Sequence, residues 1–386
     1  MIKLLIRIFR LLLKKDEKSL IYYSFPDVSD NSFGLFCYVI NNYPEFKNIW
    51  LINNVQHKKE YLQLISNYTE STHFLILKKK SLLGIYHFCK SKYIFHTHGI
   101  FNKLPLSKQQ VNINLWHGMP LKNIGFLDGN ANTQKSNYTI ATSIFFKEIM
   151  GKAFQLKNKK VLVTGQPRND FLFTKKYSLS DIVNVSSNNL KKTILWMPTY
   201  RKSKIGEIRN DGETNKMDDF LASDFLKKLN NYLIKIEGVC YIKLHPMDYM
   251  SVTDFQKHSN LYFIDNSDFQ KKGISLYSIL NSTDILLTDF SSIYIDYLLL
   301  NKPIGFLFSD FDAYFNSRGF VFETPKEYMP GEFITNKEDL IPFLERIFTD
   351  KKDLFKEQRN KINNLFNDQK SNFSKKVFES ILEKEI

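Results

Sequence analysis

Asn114-Leu-Trp-His-Gly-Met-Pro-Leu-Lys-Asn-Ile-Gly125 has an apolar run before it, a His-Gly turn in its middle and Pro120 shortly after that turn. This order is what a residue displayed at the carboxyl end of a parallel strand looks like, and open α/β sheets bind their ligands there. The residue types suit phosphate chemistry: a neutral His117 imidazole takes a proton near pH 7, and the Lys122 ammonium holds a phosphate. Thr288-Asp-Phe-Ser-Ser292 repeats the design. It follows the apolar Ile285-Leu-Leu287 and opens an expected helix over 293–300. Ser291 and Ser292 then sit at a helix N-terminus, where free N–H groups and the helix dipole attract anions.

Working outward, short apolar runs alternate with helical segments along the whole chain. Strands are expected over 21–25, 49–52, 75–77, 93–96, 140–143, 193–197, 240–244, 261–264, 285–287 and 304–307, with helices between them over 32–43, 81–89, 144–154 and 219–236. Strand and helix taking turns predicts parallel sheets, and 386 residues suit two domains rather than one core. The polar segment 176–192 reads as the linker, 202–216 as a polar loop, and 336–385 as a charged helical close.

Composition, at 43% hydrophobic and 24% charged, is globular. A net charge of +14 predicts anionic partners without choosing between nucleic acid, membrane and a phosphate-rich substrate. Cys37, Cys89 and Cys240 form no C-x-x-C pair, so neither a disulfide framework nor a zinc site is indicated, and a reducing cytosol is the simplest home.

Met1 to Lys15 places Lys3, Arg7, Arg10 and Lys14 in one stripe on an otherwise apolar helix. The segment is too short and too charged to span a bilayer, and no small-residue cleavage site marks it as a signal peptide. A packed helix with a charged face is one reading; lying in the headgroup region of an anionic leaflet is the preferred one.

Further strand ends carry chemistry. His96 and His98 share a strand face, as metal ligands or as polar residues lining a cleft. Thr164-Gly-Gln-Pro-Arg-Asn-Asp170 delivers Arg168 and Asp170, or else starts a capped helix with a solvated Arg. Met197-Pro-Thr-Tyr-Arg201 ends on a base, and the Pro after His245 holds that residue extended, so its ring projects from the strand end unless it is simply buried. Asp310-Phe-Asp312 is either a cation-binding D-x-D or an ordinary loop. The absence of P-loop, G-x-G-x-x-G and G-x-S-x-G motifs disfavours kinases, nicotinamide dehydrogenases and serine hydrolases of the usual kinds. Two similar α/β domains facing a common cleft suggest a nucleotide-dependent transferase.

Six motifs in order, W-H-G-x-P-L-K-x-I-G at 116–125, T-G-x-P-R-N-D at 164–170, M-P-T-Y-R at 197–201, L-H-P at 244–246, T-D-F-S-S at 288–292 and R-G-F at 318–320, resemble the CDP-glycerol glycerophosphotransferase family of teichoic acid and capsule synthesis. The resemblance covers roughly 21–366. Met119, Gln166 and Tyr200 depart from the usual residues. It implies a GT-B-type α/β fold of two Rossmann-like domains: a membrane-surface helix over 1–18, an acceptor-binding domain over 19–180 and a CDP-alcohol-binding domain over 181–386. It also implies a peripheral protein on the cytoplasmic face of the bacterial membrane.

The activity so implied is transfer of glycerol phosphate, or a related polyol phosphate, from CDP-glycerol to a hydroxyl of a polyprenyl-diphosphate-linked saccharide, releasing CMP. His117 is expected as general base, with Asp170 as base or orienting group. His245, Arg318 and the Ser291/Ser292 turn are expected on the diphosphate, with Asp289 beside them, and Lys122, Arg168 and Arg201 on phosphate or acceptor. CMP leaves as a phosphate of low pKa, so neither a metal nor a strong general acid is required; no cofactor and no nucleic-acid partner are expected. A nucleotide-sugar glycosyltransferase of the same architecture is the alternative. The lack of an added domain leans toward a single-transfer or short-chain enzyme, and oligomeric state stays open, a homo-oligomer included.

Overall fold

The computed structural model describes residues 2–101, 104–129, 135–183, 191–199, 220–244, 258–308, 311, 315 and 319–385. The predicted alternation builds two all-parallel sheets. The first contains β1 (Asp16–Tyr23), β2 (Lys47–Ile52), β3 (Phe74–Lys78), β4 (Ser91–His96), β5 (Val111–Asn114), β6 (Tyr138–Ala141) and β7 (Val161–Val163), ordered β3-β2-β1-β4-β5-β6-β7. The second contains β8 (Lys192–Met197), β9 (Gly238–Lys243), β10 (Leu261–Ile264), β11 (Ile285–Thr288), β12 (Ile304–Leu307) and β13 (Glu332–Ile334), ordered β10-β9-β8-β11-β12-β13.

The helices of the first half are α1 (Ile2–Leu12), α2 (Asp30–Asn42), α3 (Lys58–Ser66), α4 (Leu82–Lys90) and α5 (Ile144–Phe154). The second half adds α6 (Ser180–Val183), α7 (Ser223–Lys235), α8 (Asn266–Lys272), α9 (Leu276–Ile279), α10 (Ile293–Tyr297), α11 (Leu340–Phe348), α12 (Lys356–Phe366) and α13 (Phe373–Glu385).

Because successive strand residues face opposite sides, Leu20 and Tyr22 join Phe33 and Phe36 of α2, while Ile21 and Tyr23 join Ile6 of α1 and Phe88 of α4. A further cluster ties the halves together, packing Met119, Leu121 and Phe146 with Ile279, Phe290 and Phe322. Each sheet has a point where its order reverses, which is where open α/β sheets form their ligand crevices. In the first sheet Tyr23 pairs with His96 at the ends of β1 and β4; in the second Thr288 pairs with Met197 at the ends of β11 and β8.

Three expectations change. The chain does not stay in the second half to its end: α13 returns to the first sheet, where Val377, Phe378 and Ile381 complete the α2 side of its core. The helix expected over 293–300 is the short α10 followed by a tighter turn, Leu298–Leu300. The N-terminal basic stripe is divided. Arg10 turns inward, its guanidinium donating to Gln110 Oε1 (3.2 Å) and the Pro105 carbonyl (2.8 Å), while Lys3, Arg7 and Lys14 stay exposed. Ile6 is fully buried, yet Leu4, Ile8, Leu11 and Leu12 are 62%, 41%, 87% and 75% exposed. Residues 184–190 of the expected linker and all of the loop over 202–216 lie outside the described residues.

Candidate active site

His117 stands just past β5, where the backbone is held from several sides. Buried Asn31, at the start of α2, donates to the carbonyls of Leu115 and Trp116 (3.0 Å each), and Trp116 N–H donates to Asn114 Oδ1 (3.0 Å). Trp116 has φ +50° and Gly118 φ +138°, so the turn is strained around the histidine. Its ring lies parallel to that of His98, centroids 4.3 Å and planes 9° apart, with Trp116 on it at 3.9 Å. Nδ1 is 3.4 Å from the Thr97 carbonyl, which only accepts, so the proton sits on Nδ1 and the Nε2 lone pair is left free for a base's work. Burial, then the neighbouring His98, pull its pKa from 6.5 down to about 3, which keeps the resting ring neutral.

The opposite rim meets this turn closely. A Cβ on Gly118 would lie 2.7 Å from Ser292 Oγ and 3.2 Å from Arg168 Nη2, so glycine is what lets the first half touch the β11 turn. Ser292 opens α10 and is partly exposed, as is Ser291, whose Oγ accepts from Ile293 N–H at 3.4 Å. Lys122 sits on a second seam. Its residue pairs antiparallel with Phe320, flanked by Val321 N–H to the Leu121 carbonyl (3.0 Å) and Asn123 N–H to the Gly319 carbonyl (3.3 Å). The W-H-G, T-D-F-S-S and R-G-F motifs therefore converge.

Other expected site residues have different tasks. Arg168 is buried among protein partners. Its Nη1 donates to Asp30 Oδ1 (2.7 Å) and the His117 carbonyl (3.0 Å), its Nη2 to Asp296 Oδ2 (2.7 Å), and its guanidinium lies 4.5 Å over the Tyr277 ring. Burial alone would lower its pKa, but Asp296 and then Asp30 raise it, so the charge is fixed. Asp296 binds a second group of the same motif, Gln166 Nε2 at 2.6 Å. Asp170, read as a base or orienting group, instead accepts from Phe373 and Ser374 N–H (2.9 Å each) and caps α13, because a carboxylate satisfies the unpaired N–H groups that open a helix. Asp289 is also buried, its oxygens taking Thr199 N–H (3.1 Å) and Oγ1 (2.8 Å), and so shapes the turn after β8.

His96 and His98 separate: His96 is buried in the sheet, its pKa lowered to about 4 by burial, and only His98 reaches the site. His245, Arg201, Arg318 and both aspartates of Asp310-Phe-Asp312 lie outside the described residues. Sequence reasoning missed Asp30, Tyr277 and Asp296. Asp296 had a signal, since an acid inside the apolar run Ile293-Tyr-Ile-Asp-Tyr297 is buried with an apolar helix and requires a cation.

The family model described as CDP-Glycerol:Poly(glycerophosphate) glycerophosphotransferase matches residues 5–383. A teichoic acid ribitol-phosphate polymerase of Staphylococcus aureus, TarL, is 28% identical over 290 residues, covering 67% of this chain and 49% of that protein. A teichoic acid glycerol-phosphate transferase of the same species is 28% identical over 363 residues, covering 88% and 86%. The chain thus spans about half the length of the first relative and most of the second. The solved wall teichoic acid polymerase TagF matches the fold with TM-score 0.72 at 20% identity, over 100% of this chain and 93% of that one. The chain belongs to the CDP-glycerol:poly(glycerophosphate) glycerophosphotransferase family.

Proposed function

We propose that the chain transfers glycerol phosphate, or a related polyol phosphate, from CDP-glycerol to a hydroxyl of a polyprenyl-diphosphate-linked saccharide, releasing CMP, in teichoic acid or capsular polymer synthesis. The observation that carries this reading is the meeting of a neutral His117, with Nε2 unprotonated, and the Ser291/Ser292 turn of the other sheet across Gly118. Family membership and the glycerol-phosphate transferase relative support the donor class.

In the proposed step the acceptor oxygen attacks the phosphorus that bears glycerol, and His117 Nε2 takes the hydroxyl proton. The new O–P bond forms as the bond from that phosphorus to the bridging oxygen breaks, and the electron pair leaves on CMP. Because charge spreads over phosphoryl oxygens, positioning and cationic stabilisation dominate. Lys122 and the Ser291/Ser292 turn hold the phosphates, joined by His245, Arg201 and Arg318. A pKa of about 3 makes a weak base; the incoming diphosphate stabilises the imidazolium and brings the base toward working pH.

The membrane reading rests on α1, whose exposed half sets Leu4, Ile8, Leu11 and Leu12 beside Lys3, Arg7 and Lys14, the pattern of a helix lying in an anionic interface. Among the described residues no helix is long and apolar enough to cross a membrane. We place the protein peripherally on the cytoplasmic face, where a CDP-alcohol would be found.

The test is CMP release by the purified chain on anionic vesicles carrying a polyprenyl-diphosphate disaccharide, across CDP-glycerol, CDP-ribitol and UDP-sugars. Release from a CDP-alcohol that falls about 10²–10⁴-fold in His117→Ala is expected. Consumption of a UDP-sugar alone would replace the donor assignment with a glycosyltransferase one.

A further inference from the structure

A cavity of about 410 Å³ opens between α1 and the strand ends of the first sheet, and three lysines line it: Lys3, Lys79 and Lys80. It sits where β1, β3 and β4 end, the reversal point at which open parallel sheets bind ligands. Lys79 is 9% exposed. Its ammonium donates to Tyr23 Oη at 2.8 Å and lies 4.2 Å over the same ring. Among the described residues, no carboxylate pairs with any of the three lysines. A buried ammonium held by one phenol, with two more lysines exposed at the rim, is short of negative charge.

The remaining wall is apolar. Ile2 and Ile6 of α1 face Ile100, Phe101 and Leu104. Beyond it, α1 exposes Leu4, Ile8, Leu11 and Leu12, and the first turn of α4 adds Leu82 and Leu83 at 67% and 51% exposure. Cationic and apolar walls together fit an anionic amphiphile and not a free nucleotide. The cavity is also joined to the chemistry, since its wall residue Gly99 follows His98, whose ring stacks on His117.

We propose that this cavity binds the lipid diphosphate of the acceptor, its isoprenoid chain running out along α1 and its saccharide extending past His98 toward His117. The inference rests on the transferase reading and names the acceptor subsite within it. Lysines are point-charge phosphate binders, so the site reads charge and the apolar wall reads the lipid.

The test is calorimetric titration of the full chain with farnesyl diphosphate, farnesol and inorganic diphosphate, with CMP present to fill the donor site. Farnesyl diphosphate is expected to bind at least about tenfold more tightly than either half-ligand, and to weaken by about tenfold or more in Lys79→Met and in Lys80→Glu. Lys80 is exposed, so its variant remains informative if the buried Lys79→Met fails to fold. In Lys80→Glu the acceptor KM should rise while the CDP-glycerol KM stays. Equal affinity for farnesyl and inorganic diphosphate, or no loss in a folded variant, overturns the proposal. The two readings fail separately. CMP release without prenyl-diphosphate binding removes this subsite alone, whereas lysine-dependent binding without CMP release removes the transferase reading and leaves an isoprenoid-phosphate site.

Discussion

The turn after β5 and the turn after β7 look alike as sequence and are opposites as structure. Each follows an apolar strand, passes through a glycine and a proline, and presents a charged or titratable group. After β5, His117 is partly exposed and keeps one ring nitrogen unused beside a strained backbone. After β7, every charged group already has a protein partner: Arg168 takes Asp30 and Asp296, and Asp170 takes the first N–H groups of α13. Even the glycines differ in purpose. Gly118 admits Ser292 of the facing sheet, whereas Gly165, at φ +77°, seats the Phe373 ring, which a Cβ would meet at 2.2 Å. A polar residue at a strand end is available for chemistry only when the fold has left it unpaired.

The comparison is tested most severely by Arg168→Met beside His117→Ala. Removing Arg168 leaves the buried Asp296 and the part-buried Asp30 without their cation, so unfolding in urea should show a loss of about 3–5 kcal/mol, with most of the activity loss following the loss of folded protein. His117→Ala should lose CMP release with a much smaller stability change. Equal destabilisation by the two would break the distinction. Gly118→Ala comes next: strain at φ +138° and the clash with Ser292 should cost about 1–3 kcal/mol, lowering kcat beyond what the shift in Tm explains, because the two rims are pushed apart.

Asp170→Ala should cost about 0.5–2 kcal/mol, the value of a helix N-terminal acceptor, and leave kcat near that of the parent. A drop of about 10²-fold with an unchanged Tm would restore Asp170 to the chemistry. The smallest effect is in pH. His96 and His117 have folded pKa values of about 4 and about 3, below 6.5, so the unfolded chain binds their protons first. Their contribution is present above pH 6.5 and is lost as pH falls from there toward the folded values. His96→Phe should therefore flatten the acid limb of a urea-midpoint profile between pH 6.5 and 4.

Much of this was readable in the residues. The alternation of Ile- and Leu-rich runs with helical periods is local, and it settled the parallel sheets. The spacing of His117, Gly118 and Pro120 settled a displayed turn. The acid within Ile293-Tyr-Ile-Asp-Tyr297 signalled burial, but its partner lies 128 residues away at Arg168, and nothing local points there. In the same way α13 carries an apolar face that any sheet would satisfy, and only the gap left beside α2 draws it back to the first domain.

The sequence by itself determined the element types, the two-sheet architecture and the phosphate-suited residues, because periodicity, turn chemistry and side-chain type act over a few residues. Tertiary structure decided which of those residues remain free. Whether a charge meets an opposite charge, a helix terminus or an open crevice depends on packing between distant segments, and that separates His117 and Ser292, at the crevice, from Arg168, Asp170 and Asp289, inside the protein.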